Sequence, residues 1–480
     1  MTSLLKQADS VLLQADQEPR NHLRPKFHLA APKGLLNDPN GFIEFDGQYH
    51  LFFQWNPFAC EHGAKFWGHS VSNDLVHWEL KPTALAPDAD YDTHGCYSGS
   101  AFELDGELHL LYTGNKKAED GERFSTQCLV KATDSTNEKY HKIGPVIHTH
   151  PEGYTAHFRD PKIWQHEGNW YCVLGGQTTD ELGQVLLYSS PDAYNWKFEG
   201  PIAGNNINGL TEFGYMFECP DLFAIGDTDI LIGCPQGIGP HGTQFQNLHN
   251  NGYFTGSFDY QNMSYQHGEF RPLDQGFEFY APQTTDDSKG RRLLSAWVGI
   301  PDEDNQPTLE QGWIHMLSLV RELSVEKGKV VQKPFSEHVE LRRSESKLEA
   351  FKLDKQSGYV AESENCFELN LTAESIKDGF TLKLADEGDR FISLSYEPES
   401  GRLVLDRTNS GYLAGTRECT LPKSDKLDLQ IFFDYSIIEI FVNGGEEVFT
   451  SRVFPSKSSS KLALSSESSC IISRFEKYDY

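Results

Sequence analysis

Three acidic side chains occupy local settings suited to acid–base chemistry. Asp38 lies in the turn Asn37-Asp38-Pro39-Asn40-Gly41, directly ahead of strand-like sequence. Asn37 and Asn40 supply the acceptors that a turn ordinarily takes from an aspartate, and Pro39 stiffens the backbone without offering an N–H. Asp160 lies in HFRDPKIW (His157–Trp164), next to Arg159 and ahead of another proline. Glu218 lies in YMFECPDLF (Tyr215–Phe223) between Phe217 and Cys219. An apolar surround favours the protonated carboxyl, which suits a general acid near neutral pH. Asp221 competes for that role but follows Pro220, closer to a turn. Taken one at a time, these are also a turn cap, a surface Asp beside an Arg, and a Glu on an exposed strand face. Taken together among many aromatics, they form the paired-carboxylate equipment of a glycosidase.

Carboxylates 122 and 58 residues apart need a fold that returns the chain to one place. Strand signals dominate from Phe27 onward: Ile43 and Phe45, then Tyr49, Leu51 and Phe53, alternate around the hairpin signal Asp46-Gly47. A diffuse repeat also recurs, in which a Ser- or Gly-bearing strand runs into an Asp and then an aromatic: Ser72–Trp78, Ala132–Tyr140, Ser189–Trp196 and Gly256–Tyr265. Its end aromatics stand 62, 56 and 69 residues apart, about the length of a four-stranded blade with long loops. Four such units plus the strands around Leu293–Trp313 predict a five-bladed β-propeller, whose inner strands converge on one axis. After Lys333-Pro334 the texture changes. Residues 335–365 are charged and Ser/Glu-rich, as a linker or first edge strand would be, and short strands then follow in the manner of a β-sandwich. The expected division is an N-terminal amphipathic segment over 1–26, a propeller over 27–334, and a linker with C-terminal β-sandwich over 335–480. The fold class is all-β.

Composition narrows the partners. The 480-residue chain carries a formal net charge of −28, which repels nucleic-acid phosphates and anionic lipid head groups, so neither is an expected partner. Nine cysteines without a CxxC pair fit reduced thiols better than a disulfide framework. Leu4, Leu5, Val11, Leu12 and Leu13 alternate with charges, which predicts a short amphipathic helix rather than a signal peptide or membrane span. A cytoplasmic location follows as the expectation. GIGPHG (Gly237–Gly242) matches a dinucleotide fingerprint formally, but the polar sequence after it offers no helix, so a loop is expected. The 18 histidines show no HExxH or paired Cys/His spacing, so no metal or cofactor is expected; His69, His94 and His157 suit hydrogen-bonding roles.

NDPNG, FRDP and ECP, in this order, resemble glycoside hydrolase family 32, the family of invertases, fructanases and sucrose-6-phosphate hydrolases. YHLFFQWNP, FWGHS, YSGSA, FYAPQ, GWIHMLSLVREL and the late block Asp434–Pro455 are similar to that family's flanking motifs, so the resemblance spans His28 to Phe454. It implies that Asp38 is the nucleophile of a covalent fructosyl-enzyme and Glu218 the acid and then the base. Asp160, with Arg159 beside it, would bind fructose hydroxyls and stabilise the oxocarbenium-like transition state. Asn37, Gln54, Trp67, Tyr97, Ser98 and Tyr280 would line the fructose pocket. Leu35-Leu36 stand where many members have Trp-Met, and Tyr97 where many have Phe, which alters the pocket wall and spares the acids.

The implied activity is retaining hydrolysis of sucrose or sucrose 6-phosphate, with a small sugar as the only expected partner. A fructosyltransferase or short-chain fructanase is the alternative among enzymes, and a non-catalytic sugar-binding protein the alternative from another class. A 6-phosphate would want cations near the pocket mouth, for which Lys65, Lys116, Lys117 and Arg123 are candidates. The sequence leaves the oligomeric state and the role of the sandwich open.

Overall fold

The computed structural model describes residues 3–15, 21–301 and 305–480; Met1, Thr2 and residues 16–20, within the expected amphipathic segment, lie outside the described residues. Five sheets succeed one another along the chain, antiparallel except where the short late strand Trp313–Ile314 pairs parallel with Gly34–Phe45 in the first. Blade I is built from Gly34–Phe45, Gln48–Asn56, Phe66–Ser72 and Glu79–Leu85, and blade II from Cys96–Leu104, Glu107–Lys117, Arg123–Ala132 and Tyr140–Ile147. Blade III comprises Tyr154–His166, Asn169–Thr178, Gly183–Ser190 and Lys197–Gly204. Blade IV comprises Met216–Ile225, Thr228–Gln236, Gly252–Asp259 and Ser264–His267, and blade V Tyr280–Asp286, Arg292–Val298, Arg321–Glu326 and Lys329–Pro334. The first strand of each blade packs against the first strands of its neighbours, and the fifth returns to the first, closing a five-bladed propeller. No helix follows Gly237–Gly242; the chain there makes an isolated bridge between His241 and Gln244.

Local chemistry explains the repeated shape. The innermost hairpins of blades I, II and III turn on Asp46-Gly47, Asp105-Gly106 and Glu167-Gly168, with positive φ at both residues, as a right-twisted two-residue turn requires. The Asp-to-aromatic repeat falls in every case between the third and fourth strands of blades I–IV. There Asp74 accepts the amides of Val76 and His77, Asp134 those of Glu138 and Lys139, Asp192 those of Tyr194 and Asn195, and Asp259 those of Gln261 and Asn262. Blade V lacks the signal because its third and fourth strands are joined by the tight turn Lys327-Gly328.

Two further sheets form the sandwich. One runs Ser344–Leu348, Ser469–Asp479, Cys366–Glu374, Leu427–Asp434, Ile437–Val442, Glu447–Arg452, with Phe351–Asp354 also on Ser469–Asp479. The other runs Tyr359–Glu364, Ser459–Ser466, Phe380–Asp386, Ile392–Glu397, Arg402–Asp406, Thr416–Thr420. Phe367, Leu369, Leu371 and Ala373 alternate into the core between them, as a strand with one buried face dictates. The charged stretch 335–365 supplies edge strands to both sheets, where polar side chains discourage further pairing. Helix Ser3–Ala15 buries Ala8 and sets Leu4, Leu5, Val11 and Leu12 against the core, while its Asp9 accepts the amide of Thr83 on the outer strand of blade I. Among the described residues no helix is long and apolar enough to cross a membrane.

Propeller and sandwich share a buried ionic seam. Arg321 of blade V is 0% exposed and spends all five guanidinium donors: on Glu439 (3.1 and 2.6 Å), Asp274 (3.0 Å), Gln332 (2.9 Å) and Thr450 (2.6 Å). Glu439 also meets His28 Nε2 at 3.0 Å, and His28 Nδ1 meets Asp434 at 2.8 Å. Gln275 and Phe277 donate amides to Val448 and Thr450, so residues 274–278 extend the sandwich edge from the propeller side. The approach is close enough that a Cβ on Gly276 would stand 2.0 Å from the Thr450 carbonyl oxygen.

Because this seam is buried, Arg321→Met leaves Asp274 without its cation and Glu439 with His28 alone, and should cost about 3–5 kcal/mol, read as a lowered denaturation midpoint. Burial pushes the His28 imidazole down, but Asp434 and Glu439 more than reverse this and hold it up to about 9. His28 therefore gains a proton on folding, and its contribution is full below the ordinary value of 6.5 and lost as pH rises towards 9. The thermal midpoint of the wild type should fall across that window more steeply than that of His28→Gln; parallel curves would count against the pairing.

Candidate active site

All five innermost strands are interrupted at the same level. Pairing slips between Leu36 and Pro39, Cys96 and Gly99, Arg159 and Lys162, Glu218 and Asp221, and Tyr280 and Gln283. The residues inside these bulges are Asn37-Asp38, Tyr97-Ser98, Asp160-Pro161, Cys219-Pro220 and Ala281-Pro282. A proline sits at or just after four of the five, where no ladder N–H is lost. Asp160, Cys219 and Ala281 take positive φ (67°, 47° and 48°), which re-aims the chain at the axis. The bulges thus turn side chains from successive blades into one cleft of about 510 Å³.

Asn37, Asp38, Gln54, Tyr97, Arg159, Asp160, Glu218 and Tyr280 line this cleft, with His62, Lys65, Thr93, His94, Asn115, Lys117, Gln236, Trp297 and Pro301. The three acids of the sequence motifs are therefore brought together. Asp38 accepts from Ser98 Oγ at 2.5 Å on one oxygen and from Asn37 Nδ2 at 3.1 Å on the other. Glu218 accepts Arg159 Nε (3.0 Å) and Nη2 (2.7 Å) on one oxygen and the Tyr280 hydroxyl (2.7 Å) on the other. Asp160 accepts the Cys219 amide at 3.0 Å, and its own amide donates to Thr113 Oγ1 at 3.0 Å. The side chains of Arg159, Asp160 and Glu218 are 12%, 7% and 16% exposed, so they meet the cleft but little bulk water.

Burial sets the electrostatics. It pushes the Asp38 carboxyl above the ordinary range, with the nearby Glu218 charge adding to the rise, while the Ser98 bond and the Lys65 charge act against it. Asp160 is also raised, chiefly by burial; Arg159 opposes the rise, and the Glu218 and Asp38 charges reinforce it. Burial together with the cations of Arg159 and Arg123 lowers His157 to about 4, which keeps its ring neutral beside the Arg159 fork.

Several expectations are corrected by placement. Leu35 and Leu36 are 0% exposed and take no part in the cleft lining. Trp67 is likewise 0% exposed; it packs between blades I and II and donates to the Tyr97 carbonyl at 3.1 Å. Ser98 lies behind the wall, on Asp38. Arg159 addresses Glu218 rather than Asp160, from which its nearest nitrogen stands 4.0 Å away. Glu218 is not set in apolar surroundings: Met216 and Phe217 turn into the core, and the carboxyl faces a cation and a phenol. His94 lines the cleft, whereas His69 is interior and pairs with His50 at 3.0 Å. Of the four cation candidates, Lys65 and Lys117 line the cleft; Lys116 and Arg123 do not.

Sequence reading missed Thr113, which seats Asp160, and Trp297 and Gln236 on the cleft wall. It also missed the bulge that YAPQ shares with NDP, RDP and ECP; the recurring X-Pro at the head of an inner strand was the available signal.

The comparisons agree with this geometry. A model described as "Glycosyl hydrolases family 32 N-terminal domain" matches residues 28–334, and "Glycosyl hydrolases family 32 C terminal" matches residues 337–479. The chain is 44% identical over 435 residues to a sucrose-6-phosphate hydrolase of Bacillus subtilis, covering 90% of this chain and 89% of the relative. A Salmonella typhimurium sucrose-6-phosphate hydrolase is 45% identical over 443 residues, with 90% and 88% covered. Among solved structures, a sucrose-6-phosphate hydrolase from Lactobacillus gasseri superposes with TM-score 0.89 at 32% identity over 99% of this chain and 96% of that one. A mutant Bombyx mori GH32 beta-fructofuranosidase in complex with sucrose gives TM-score 0.87 at 29% identity, over 98% and 97% of the two chains. With both halves of the chain matched and the three motif acids gathered in one cleft, this protein belongs to glycosyl hydrolase family 32.

Proposed function

We propose that the chain is a retaining β-fructofuranosidase that hydrolyses sucrose 6-phosphate in preference to sucrose. The observation that carries the enzymatic reading is the cleft itself. Three carboxylates from three blades share it, and Asp38 and Glu218 each have both oxygens occupied by fixed donors. A binding protein has no need to bury so much negative charge in one site.

In this reading Asp38 attacks the anomeric carbon of the fructosyl unit while Glu218 gives its proton to the departing glucosyl oxygen. Glu218 then takes a proton from water, whose oxygen displaces Asp38, and the configuration is retained. The fork of Arg159 and the hydroxyl of Tyr280 hold Glu218 in place for both steps. Asp160 faces the same cleft as an acceptor for sugar hydroxyls. Residues 27–334 carry the chemistry and residues 335–480 brace it through the Arg321 seam, while the described residues of segment 1–26 take no part in the cleft lining. The cytoplasm is the location we favour, since all nine cysteines are free and eight are buried.

The phosphate preference rests on His94 and Lys117 at the exposed side of the cleft, where the Lys117 amide donates to His94 Nδ1 at 3.1 Å. In a chain of net charge −28 these groups offer a local anchor for an anion. The curated relatives, sucrose-6-phosphate hydrolases by name, favour the same substrate.

Asp38→Asn and Glu218→Gln should each lower kcat by on the order of 10⁴-fold while the protein stays folded; fructose release by Asp38→Asn at the wild-type rate would overturn the nucleophile assignment. kcat/KM on sucrose 6-phosphate should exceed that on sucrose roughly 10- to 100-fold, the worth of one or two charge-assisted contacts. Lys117→Met should shrink that ratio and leave the sucrose rate alone. Equal rates on the two sugars would make this an invertase and remove the phosphate role.

A further inference from the structure

We propose that Lys65 is a positioning residue for this reaction, the fixed donor end of a one-way hydrogen-bond chain through Asn37, Gln54 and Ser98 that holds the Asp38 carboxylate in a single orientation. The inference rests on the reading of Asp38 as nucleophile.

The chain is continuous. Lys65 Nζ donates to Asn37 Oδ1 at 2.8 Å, Asn37 Nδ2 donates to Gln54 Oε1 at 2.7 Å, Gln54 Nε2 donates to Ser98 Oγ at 2.6 Å, and Ser98 Oγ donates to Asp38 Oδ2 at 2.5 Å. Its direction is forced by chemistry at each link. An amide carries oxygen and nitrogen on similar arms, so its neighbours decide which arm faces which way. An ammonium has three donors and no acceptor, so it compels Asn37 to present its oxygen. The Asn37 nitrogen must then face Gln54 and Asp38, and it reaches Asp38 Oδ1 as well, at 3.1 Å. Gln54 in turn presents its nitrogen to Ser98. A hydroxyl that already accepts there has its own proton free for the only acceptor left, the carboxylate. A cation at one end and an anion at the other thus fix two amide rotamers and a hydroxyl rotor.

Water cannot easily reverse these bonds. Lys65 is 7% exposed, Asn37 and Gln54 4%, and Ser98 1%. The arrangement therefore keeps a donor on each oxygen of Asp38 and leaves its reacting lone pair pointed at the cleft. The other charged and titratable groups around Asp38 are Glu218, Asp160 and Cys219, whose Sγ stands 4.0 Å from Oδ2. The Glu218 charge pushes the Asp38 carboxyl up, and Lys65 is the cation that pulls it down. Burial lowers Lys65 itself to about 8, so it is charged through the acidic and neutral range. Its ammonium is engaged on this chain and on His62 Nδ1 at 2.8 Å, which marks it off from a phosphate ligand at the cleft mouth.

The test is the pH dependence of kcat and kcat/KM on sucrose for Lys65→Met, Lys65→Arg and Gln54→Met, beside Asp38→Asn. Loss of the cation lets Asp38 keep its proton to higher pH, so the acid limb of Lys65→Met should move upward in pH. Its kcat should fall roughly 10- to 100-fold with KM little changed. Lys65→Arg, which keeps the charge, should restore the limb. Gln54→Met cuts the chain without removing the charge, and should lower kcat about tenfold with a smaller displacement of the limb. If Lys65→Met does not fold, Gln54→Met decides the matter, and an unchanged kcat in it overturns the proposal. An unmoved acid limb in folded Lys65→Met, or a loss confined to KM, also overturns it. Turnover surviving in Asp38→Asn would remove the nucleophile reading and this inference with it, whereas an inactive Asp38→Asn beside an unmoved Lys65→Met would remove the chain alone.

Discussion

Three carboxylates held in one shielded cleft repel one another and lose hydration, and the architecture around them is arranged to offset that cost. Each acid meets a different solution. Glu218 receives a guanidinium fork and a phenol, Asp38 receives a hydroxyl and an amide, and Asp160 receives a backbone N–H from the neighbouring blade. Apart from Asn37, which neighbours Asp38 in its own strand, the donors come from other blades than the acids they serve, so no blade can hold its own acid alone. The closed ring of inner strands is therefore a requirement of the site as much as a fold type.

The bulges are the local device that makes convergence possible. A regular strand would send alternate side chains into the core between blades, as happens to Phe217 and Leu36. An extra residue at one level in each inner strand breaks that alternation and turns the chain towards the axis. Proline suits the position because a bulged residue has no ladder bond to lose. The positive φ values at Asp160, Cys219 and Ala281 show what the backbone tolerates to keep the geometry.

The sandwich contributes through the ring. Arg321 lies on blade V, two strands out from Tyr280, and its ties to Glu439 and Thr450 fix that blade against the second domain. Residues 274–278, which run directly into Tyr280, lie along the sandwich edge. A domain without a residue in the cleft thereby sets the position of a side chain that holds Glu218.

Much of this was legible in the sequence because it is local chemistry. The turns around Asp38, Asp160 and Glu218, the capping aspartates of blades I–IV and the alternation of the sandwich strands each depend on residues a few positions apart. Blade V lacked the repeat because a two-residue turn replaced the capping loop, and it was legible only from its strands around Leu293–Trp313. Other features lay beyond local reading. Leu35, Leu36 and Trp67 sit in motifs that line a pocket by position, yet packing against neighbouring elements buries them away from it. Lys65 looked like a cation free to meet an anion, and the return of its loop to Asn37 engages it instead. The sequence by itself determined which acids are present and what each strand and turn would be, since those follow from backbone chemistry over short spans. Only the tertiary structure decided which donor meets which acid, because those partners lie up to 62 residues apart and meet through the closing of the propeller.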